Sequence, residues 1–70
     1  MSLADSARRP TAILAEDEPL LADELADLLG KLWPQLQIVA RAEDGVAALH
    51  AVEAHRPDLA FLDIRMPLLT

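Results

Sequence analysis

The chain contains three short, mainly apolar runs. They are residues 11–15 ("TAILA"), 36–42 ("LQIVARA") and 59–63 ("LAFLD"). Each run is too short to form a stable helix and suits a strand covered on both faces. We therefore predict three strands at these positions.

The stretch between the first two runs has helical periodicity. From residue 19 to residue 31, leucines recur at spacings of three and four, while most charged residues lie off that stripe. Pro19 suits the first turn of a helix, and Gly30 and Pro34 mark its end. We predict a helix over residues 19–31.

A second, alanine-rich helix is predicted over residues 46–54. We expect Val46, Leu49 and either Val52 or Ala48 to face inward. The helix should end before Pro57, because the residue preceding a proline is pushed away from helical geometry. The resulting order, β-α-β-α-β, indicates a parallel sheet with right-handed crossovers.

Two strand orders are compatible with this succession. A Rossmann-like half has the order 3-2-1, whereas a flavodoxin-like half has the order 2-1-3. In the order 2-1-3 the two helices lie on opposite faces of the sheet. Strands 1 and 3 are then neighbours, and a ligand site is expected between their carboxyl ends.

Composition narrows the function classes. The chain has 70 residues, a formal charge of −6 and no cysteine, which argues against non-specific nucleic-acid binding and against disulfides or thiolate metal sites. No apolar stretch reaches the length of a membrane span, and the first residues lack the apolar core of a signal peptide. We expect a cytoplasmic protein with a disordered tail over residues 1–10, in which Arg8 and Arg9 are solubilising charges.

Acidic residues follow two of the predicted strands. Glu16 and Asp17 end strand 1, and Asp63 ends strand 3. In the order 2-1-3 these carboxylates converge and repel one another, and Mg²⁺ would relieve the repulsion. A carboxylate beside Mg²⁺ can accept a phosphoryl group. Each acidic feature alone is also explained by a turn or a helix cap, and only their combination favours a site.

Three stretches carry a resemblance to a known family. They are "ILAEDEP" (13–19), "ARAEDGVAAL" (40–49) and "RPDLAFLDIRMP" (56–67). In their order and spacing the chain resembles the receiver domain of two-component response regulators over residues 11–70. The resemblance implies a flavodoxin-like sheet truncated to β1-α1-β2-α2-β3, that is, the N-terminal half of a receiver domain.

The resemblance also implies a role for each site residue. Asp63 would be the phosphoacceptor, Asp17 and Asp63 direct Mg²⁺ ligands, and Glu16 a ligand through water. The backbone carbonyl of Arg65 would complete the set. The phosphoryl donor would be a phosphohistidine of a sensor histidine kinase, and the receiver would catalyse its own phosphorylation.

Further expectations follow from the receiver resemblance. The Ser or Thr and the Lys that contact the phosphoryl group in the family, at the ends of strands 4 and 5, have no counterpart within these 70 residues. We expect the chain to be a truncated or proteolysed piece that phosphorylates poorly by itself and self-associates through the edge of strand 3. We also predict that it is not an enzyme and that this segment does not contact nucleic acid. "EDEPLL" and "DIRMP" resemble receivers joined to LytTR-type DNA-binding domains, which implies a transcription regulator as the parent protein.

Two alternatives compete with the receiver interpretation. One is an aspartate-nucleophile phosphatase of the haloacid dehalogenase class, although Arg65 stands where that class has its second aspartate. The other is a non-phosphorylated interaction module, in which the acidic residues only cap the first helix. A receiver should gain a phosphoryl label on Asp63 from a small phosphodonor with Mg²⁺, and the interaction module should not. A phosphatase should instead turn its substrate over.

Overall fold

The elements and their order match the sequence-based prediction. The structure is a computed structural model and describes residues 9–63. Its elements are β1 (Thr11–Ala15), α1 (Pro19–Leu32), β2 (Gln37–Ala42), α2 (Gly45–His55) and β3 (Leu59–Leu62). Every predicted boundary lies within one residue of the observed one, so the β-α-β-α-β order is confirmed.

The three strands form one parallel sheet in the order β2-β1-β3. This order confirms the flavodoxin-like layout and excludes the 3-2-1 alternative. β1 is the central strand, and its register shifts against β2 between Ala12 and Ile13. Against β3 the register is regular, from Ala12 opposite Leu59 to Ala15 opposite Leu62.

The core is built around β1 and consists mainly of small side chains. Ile13 and Ala15 cluster with Ala42 of β2 and Ala48 of α2. Leu14 is buried as well but lies outside that cluster. Since successive side chains of a strand point to opposite faces, both faces of β1 are covered, as its apolar run predicts.

The predicted inward face of α2 is confirmed at Ala48 and wrong at Val46 and Leu49. Val46 and Leu49 are 41% and 59% exposed, whereas Ala48 is buried. Ala47 and Ala51 pack against the core cluster beside Ala48. The prediction weighed hydrophobicity and neglected size. Alanines let α2 lie close to the alanine-rich strands, and the larger apolar residues are turned outward.

The leucine stripe of α1 is only partly covered. Ala22 is the buried residue of this helix, Leu25 and Leu29 are partly buried, and Leu28 is exposed. α1 contacts β1, so the stripe faces the sheet on one side and solvent on the other. Neither helix in the described part of the chain has the length and apolar character needed to cross a membrane.

Two arginines tie the connecting segments to the sheet. Arg41 of β2 forms an ion pair of 2.6 Å with Asp23 of α1. The guanidinium of Arg9 donates to the backbone oxygens of Gln35, at 3.1 Å, and Pro34, at 3.5 Å. Arg9 therefore holds the loop after α1 and is more than a solubilising charge. Residues 1–8 of the predicted tail lie outside the described residues.

β3 is an edge strand of the described sheet. Leu59 and Leu62 at its two ends are 39% and 53% exposed. Within residues 9–63, β3 pairs with β1 only. An apolar edge of this kind can associate with another strand. Self-association of the chain through β3 stays a prediction.

The N-cap of α2 gives a test of the local fold. Asp44 precedes the helix in extended conformation, and its Oδ1 accepts a hydrogen bond of 2.8 Å from the Ala47 amide. We expect Asp44→Ala to lower the free energy of unfolding by about 1 kcal/mol. Asp44→Asn keeps the acceptor and should cost much less. Urea denaturation of both variants measures the difference, and equal midpoints would contradict this role of Asp44.

Candidate metal centre

The parallel ladder between β1 and β3 aligns the first residue after each strand. Ala15 lies opposite Leu62, so Glu16 and Asp63 follow directly at the same edge of the sheet. The Asp63 amide donates to the Ala15 oxygen at 3.0 Å, and the Glu16 amide donates to the Ala42 oxygen at 3.0 Å. Both acidic residues are therefore held by backbone bonds at their own amides.

Three carboxylates meet at this edge. One oxygen from each of Glu16, Asp17 and Asp63 can be chosen so that all three lie within 4.8 Å of one another. Asp17 is exposed on the segment before α1, whereas Glu16 and Asp63 are partly buried. The group is thus closed towards the sheet and open towards solvent at Asp17.

The proximity of these charges raises the pKa of Glu16 above its ordinary value of 4.5. The largest cause is a hydrogen bond with the side chain of Asp63, followed by burial and by the negative charge of Asp63. The charge of Asp17 adds to the effect, and a backbone hydrogen bond from Glu18 opposes it. A hydrogen bond between two carboxyl groups needs a proton, so this contact favours the protonated form of Glu16 over the ionised one.

One oxygen of Glu16 is left without a partner. Its Oε1 is buried and accepts no hydrogen bond within residues 9–63. A buried acceptor in this state costs free energy, which a ligand with positive charge can recover. The raised pKa and the unpaired oxygen both indicate that this end of the sheet suits a cation.

The donor set fits a hard divalent cation. Mg²⁺ binds oxygen ligands at about 2 Å in octahedral geometry and retains several waters, so two or three carboxylates suffice. Two oxygens on the same ion lie about 3 to 4 Å apart. The three carboxylate oxygens already lie within 4.8 Å of one another, so the side chains would need to move only slightly to bind one ion.

Apolar side chains wall one side of the site. A cleft of about 300 Å³ is lined by Leu25 of α1 and Phe61 and Leu62 of β3, together with Ala15, Glu16 and Asp63. Apolar walls strengthen the interactions among the charges they enclose. Sequence reasoning treated Leu25 only as part of the α1 stripe. The position of Leu25 on the sheet-facing stripe of α1, beside the end of β1, is the signal that could have assigned it to the cleft.

The predicted site residues are thus brought together with one exception. Glu16, Asp17 and Asp63 form the group described above. Arg65 lies outside the described residues, and the ligand role of its carbonyl stays a prediction.

The sequence profile of a known family covers this whole region. The response regulator receiver domain matches residues 12–70, which include all five elements apart from the first residue of β1. The chain belongs to the response regulator receiver domain family. The receiver fold accordingly accounts for the strand order and for the acidic edge of the sheet.

Curated relatives agree with the receiver assignment. An uncharacterized response regulatory protein of Vibrio cholerae is 63% identical over 57 residues, covering 81% of this chain and 22% of its own length. The transcriptional regulatory protein PdtaR of Mycobacterium tuberculosis is 39% identical over 64 residues, covering 91% of this chain and 30% of its own. The probable transcriptional regulatory protein NarL of the same species is 40% identical over 55 residues, covering 79% and 25%.

The chain spans between 22% and 30% of the length of these three relatives. No solved structure gave a significant match to the chain.

Membership of the receiver family corrects one prediction. The chain was expected not to be an enzyme. That expectation is wrong as a description of the family, because receiver domains are phosphoacceptors that often catalyse their own phosphorylation or phosphotransfer.

The raised pKa of Glu16 gives a pH-dependent prediction for the metal-free receiver. A carboxyl whose pKa is raised on folding binds its proton more tightly in the folded state, so its contribution to stability is present below pH 4.5 and is lost as the pH rises through the raised pKa. We expect wild type to lose stability relative to Glu16→Gln over this window. Thermal unfolding in chelator at a series of pH values measures the difference, and parallel pH profiles would contradict it.

Proposed function

We propose that this receiver domain accepts a phosphoryl group on Asp63 from the phosphohistidine of a sensor histidine kinase, with Mg²⁺ held by the carboxylates beside it. The observation that carries the proposal is the convergence of Glu16, Asp17 and Asp63 at the carboxyl end of β1 and β3. Membership of the receiver family supports the phosphoacceptor role and an interaction with phosphodonor kinases.

The proposed reaction is a direct phosphoryl transfer. A carboxylate oxygen of Asp63 forms a bond to phosphorus while the phosphorus–nitrogen bond to the donor histidine breaks. The electron pair of that bond returns to the imidazole, and the product is an aspartyl phosphate. Bound Mg²⁺ would offset the negative charge of the phosphoryl oxygens and of the carboxylates.

The protein side chains divide the remaining work. Asp17 and Asp63 would bind the ion directly, Glu16 would bind it through water, and the carbonyl of Arg65 would complete the set. The exposure of Asp17 supports a position where solvent and a phosphoryl oxygen can enter. Glu16 is partly buried and its Oε1 has no hydrogen-bond partner within residues 9–63, which supports its role as a ligand that lies close to the sheet and binds the ion through water.

The consequence of phosphorylation lies in the parent protein. Two of the similar proteins are named transcriptional regulatory proteins, and the chain spans about a quarter of the length of such relatives. We propose that phosphorylation of this cytoplasmic receiver controls transcription through another part of the polypeptide. The net charge of −6 supports a receiver that does not itself contact nucleic acid. A LytTR-type output domain stays a prediction.

The phosphatase alternative is less well supported. Arg65 stands where that class has its second acid, and the class does not account for the acidic pair at Glu16 and Asp17. The receiver proposal gives both residues a role at the same ion. The geometry at this edge therefore favours the receiver over the phosphatase.

Mg²⁺ should stabilise the folded receiver. The three carboxylates come together only in the folded state, so the ion binds that state selectively. At a Mg²⁺ concentration ten times the dissociation constant, binding should raise the free energy of unfolding by about 1.4 kcal/mol. Thermal or urea unfolding with and without millimolar Mg²⁺ measures the shift. Asp63→Asn removes one charge from the group and should reduce the shift. Glu53→Gln serves as the control, because it removes an exposed carboxylate near the C-terminal end of α2. An unchanged midpoint for folded wild type would contradict the metal site.

Phosphorylation of Asp63 is the direct test of function. We expect the full-length protein to gain one phosphoryl group from a small-molecule phosphodonor such as acetyl phosphate, only in the presence of Mg²⁺. Asp63→Asn should abolish the gain, because the amide is not a nucleophile for phosphorus. Intact mass measured before and after hydroxylamine, which cleaves acyl phosphates, identifies the bond.

Two results would argue against the phosphoacceptor role. Undiminished labelling of Asp63→Asn would move the acceptor to another residue. Repeated turnover of a phosphate ester without a stable acyl phosphate would favour the phosphatase alternative.

A further inference from the structure

A hydrogen-bonded clamp closes the β1–β3 ladder at the end opposite the carboxylates. The Asp58 Oδ2 accepts from the Thr11 amide at 2.8 Å and from the Thr11 hydroxyl at 3.3 Å. In return the Asp58 amide donates to the backbone oxygen of Thr11 at 2.9 Å and to the hydroxyl oxygen of Thr11 at 3.2 Å. Each residue thus contacts both the backbone and the side chain of the other.

The clamp and the acidic site lie on the same pair of strands. Five residues separate Thr11 from Glu16, and five separate Asp58 from Asp63. The regular register between Ala12–Ala15 and Leu59–Leu62 connects the two ends without a bulge. The clamp is therefore roughly 16 Å from the site along the strands and in register with it.

The apolar pattern of β3 leaves its register weakly specified. Its sequence, "LAFL", has no alternation of apolar and polar residues, so the pattern does not distinguish one face of the strand from the other. A slip by one residue would exchange the two faces of the strand. Such a slip would also move Asp63 to the other face of the sheet, away from Glu16.

The clamp anchors the end of the ladder that lies away from the carboxylates. The clamp at the far end is attractive and satisfies the Thr11 amide with a charged acceptor. It therefore holds the β1–β3 register with residues that are not ligands of the site.

We propose that Thr11 and Asp58 are positioning residues for the metal and phosphoacceptor site, because their clamp fixes the β1–β3 register that places Asp63 beside Glu16. The effect on the site rests on the proposed function, whereas the role of the clamp in fixing the β1–β3 register does not. Removing the clamp should weaken the site without touching any of its ligands.

The test compares variants of the full-length protein that keep or remove the clamp. Asp58→Ala removes the acceptor, whereas Asp58→Asn retains a carbonyl oxygen for the Thr11 amide. Thr11→Val removes the hydroxyl at constant shape, and Thr11→Ser retains it. Asp44→Ala is the matched control, since it also deletes an aspartate that caps a backbone amide, but on α2. Two quantities are measured under conditions where every variant is folded.

The first quantity is the dissociation constant for Mg²⁺. We expect it to rise roughly tenfold in Asp58→Ala, in proportion to the lost population of the correct register, and less in Thr11→Val. Asp58→Asn and Thr11→Ser should restore most of the affinity. The Asp44→Ala control should bind as wild type. Equal affinity in Asp58→Ala and Asp44→Ala would overturn the proposal.

The second quantity is hydrogen exchange at the Asp63 amide, which donates to Ala15 across the ladder. It should accelerate in Asp58→Ala but not in Asp44→Ala. This measurement needs no metal. If wild type failed to bind Mg²⁺, the proposed function would fail, and exchange alone would decide the positioning role. Unchanged protection of Asp63 in Asp58→Ala would overturn it.

Discussion

The parallel pairing of β1 with β3 is the constraint on which the site depends. It brings Asp63 beside Glu16 and Asp17 although more than forty residues separate them along the chain. Right-handed crossovers place α1 and α2 so that β1 is covered on both faces, and the buried central strand fixes the sheet. The carboxyl ends of β1 and β3 are left open as the place where polar side chains can meet a ligand.

This arrangement brings three carboxylates together at an edge of the sheet where two of them are partly buried. In the metal-free protein the hydrogen bond to Asp63 raises the pKa of Glu16, and protonation of this carboxyl would relieve part of the repulsion. A divalent cation would relieve more of it and would also use the buried Oε1 of Glu16. Proton and cation would therefore compete for the same carboxylates, which would link the stability of the fold to the occupancy of the proposed site.

Much of this could be predicted from the sequence, because the informative residues act locally. Apolar runs and helical spacing predicted every element, and the acidic residues at the strand ends predicted the convergence at one edge. The inward face of α2 was predicted wrongly at Val46 and Leu49, since the choice depends on the space between helix and sheet. The clamp between Thr11 and Asp58 was missed, because a contact between distant residues is invisible until the register is known.

The central claim is that the three carboxylates form one cation site that exchanges a proton for Mg²⁺. Titration calorimetry of Mg²⁺ in buffers of different ionisation enthalpy tests it directly by counting the protons released on binding. The account predicts binding of one ion, proton release that increases as the pH is lowered because the pKa of Glu16 is raised, and a loss of affinity in Asp63→Asn. Binding without proton release, and with equal affinity in Asp63→Asn, would contradict it.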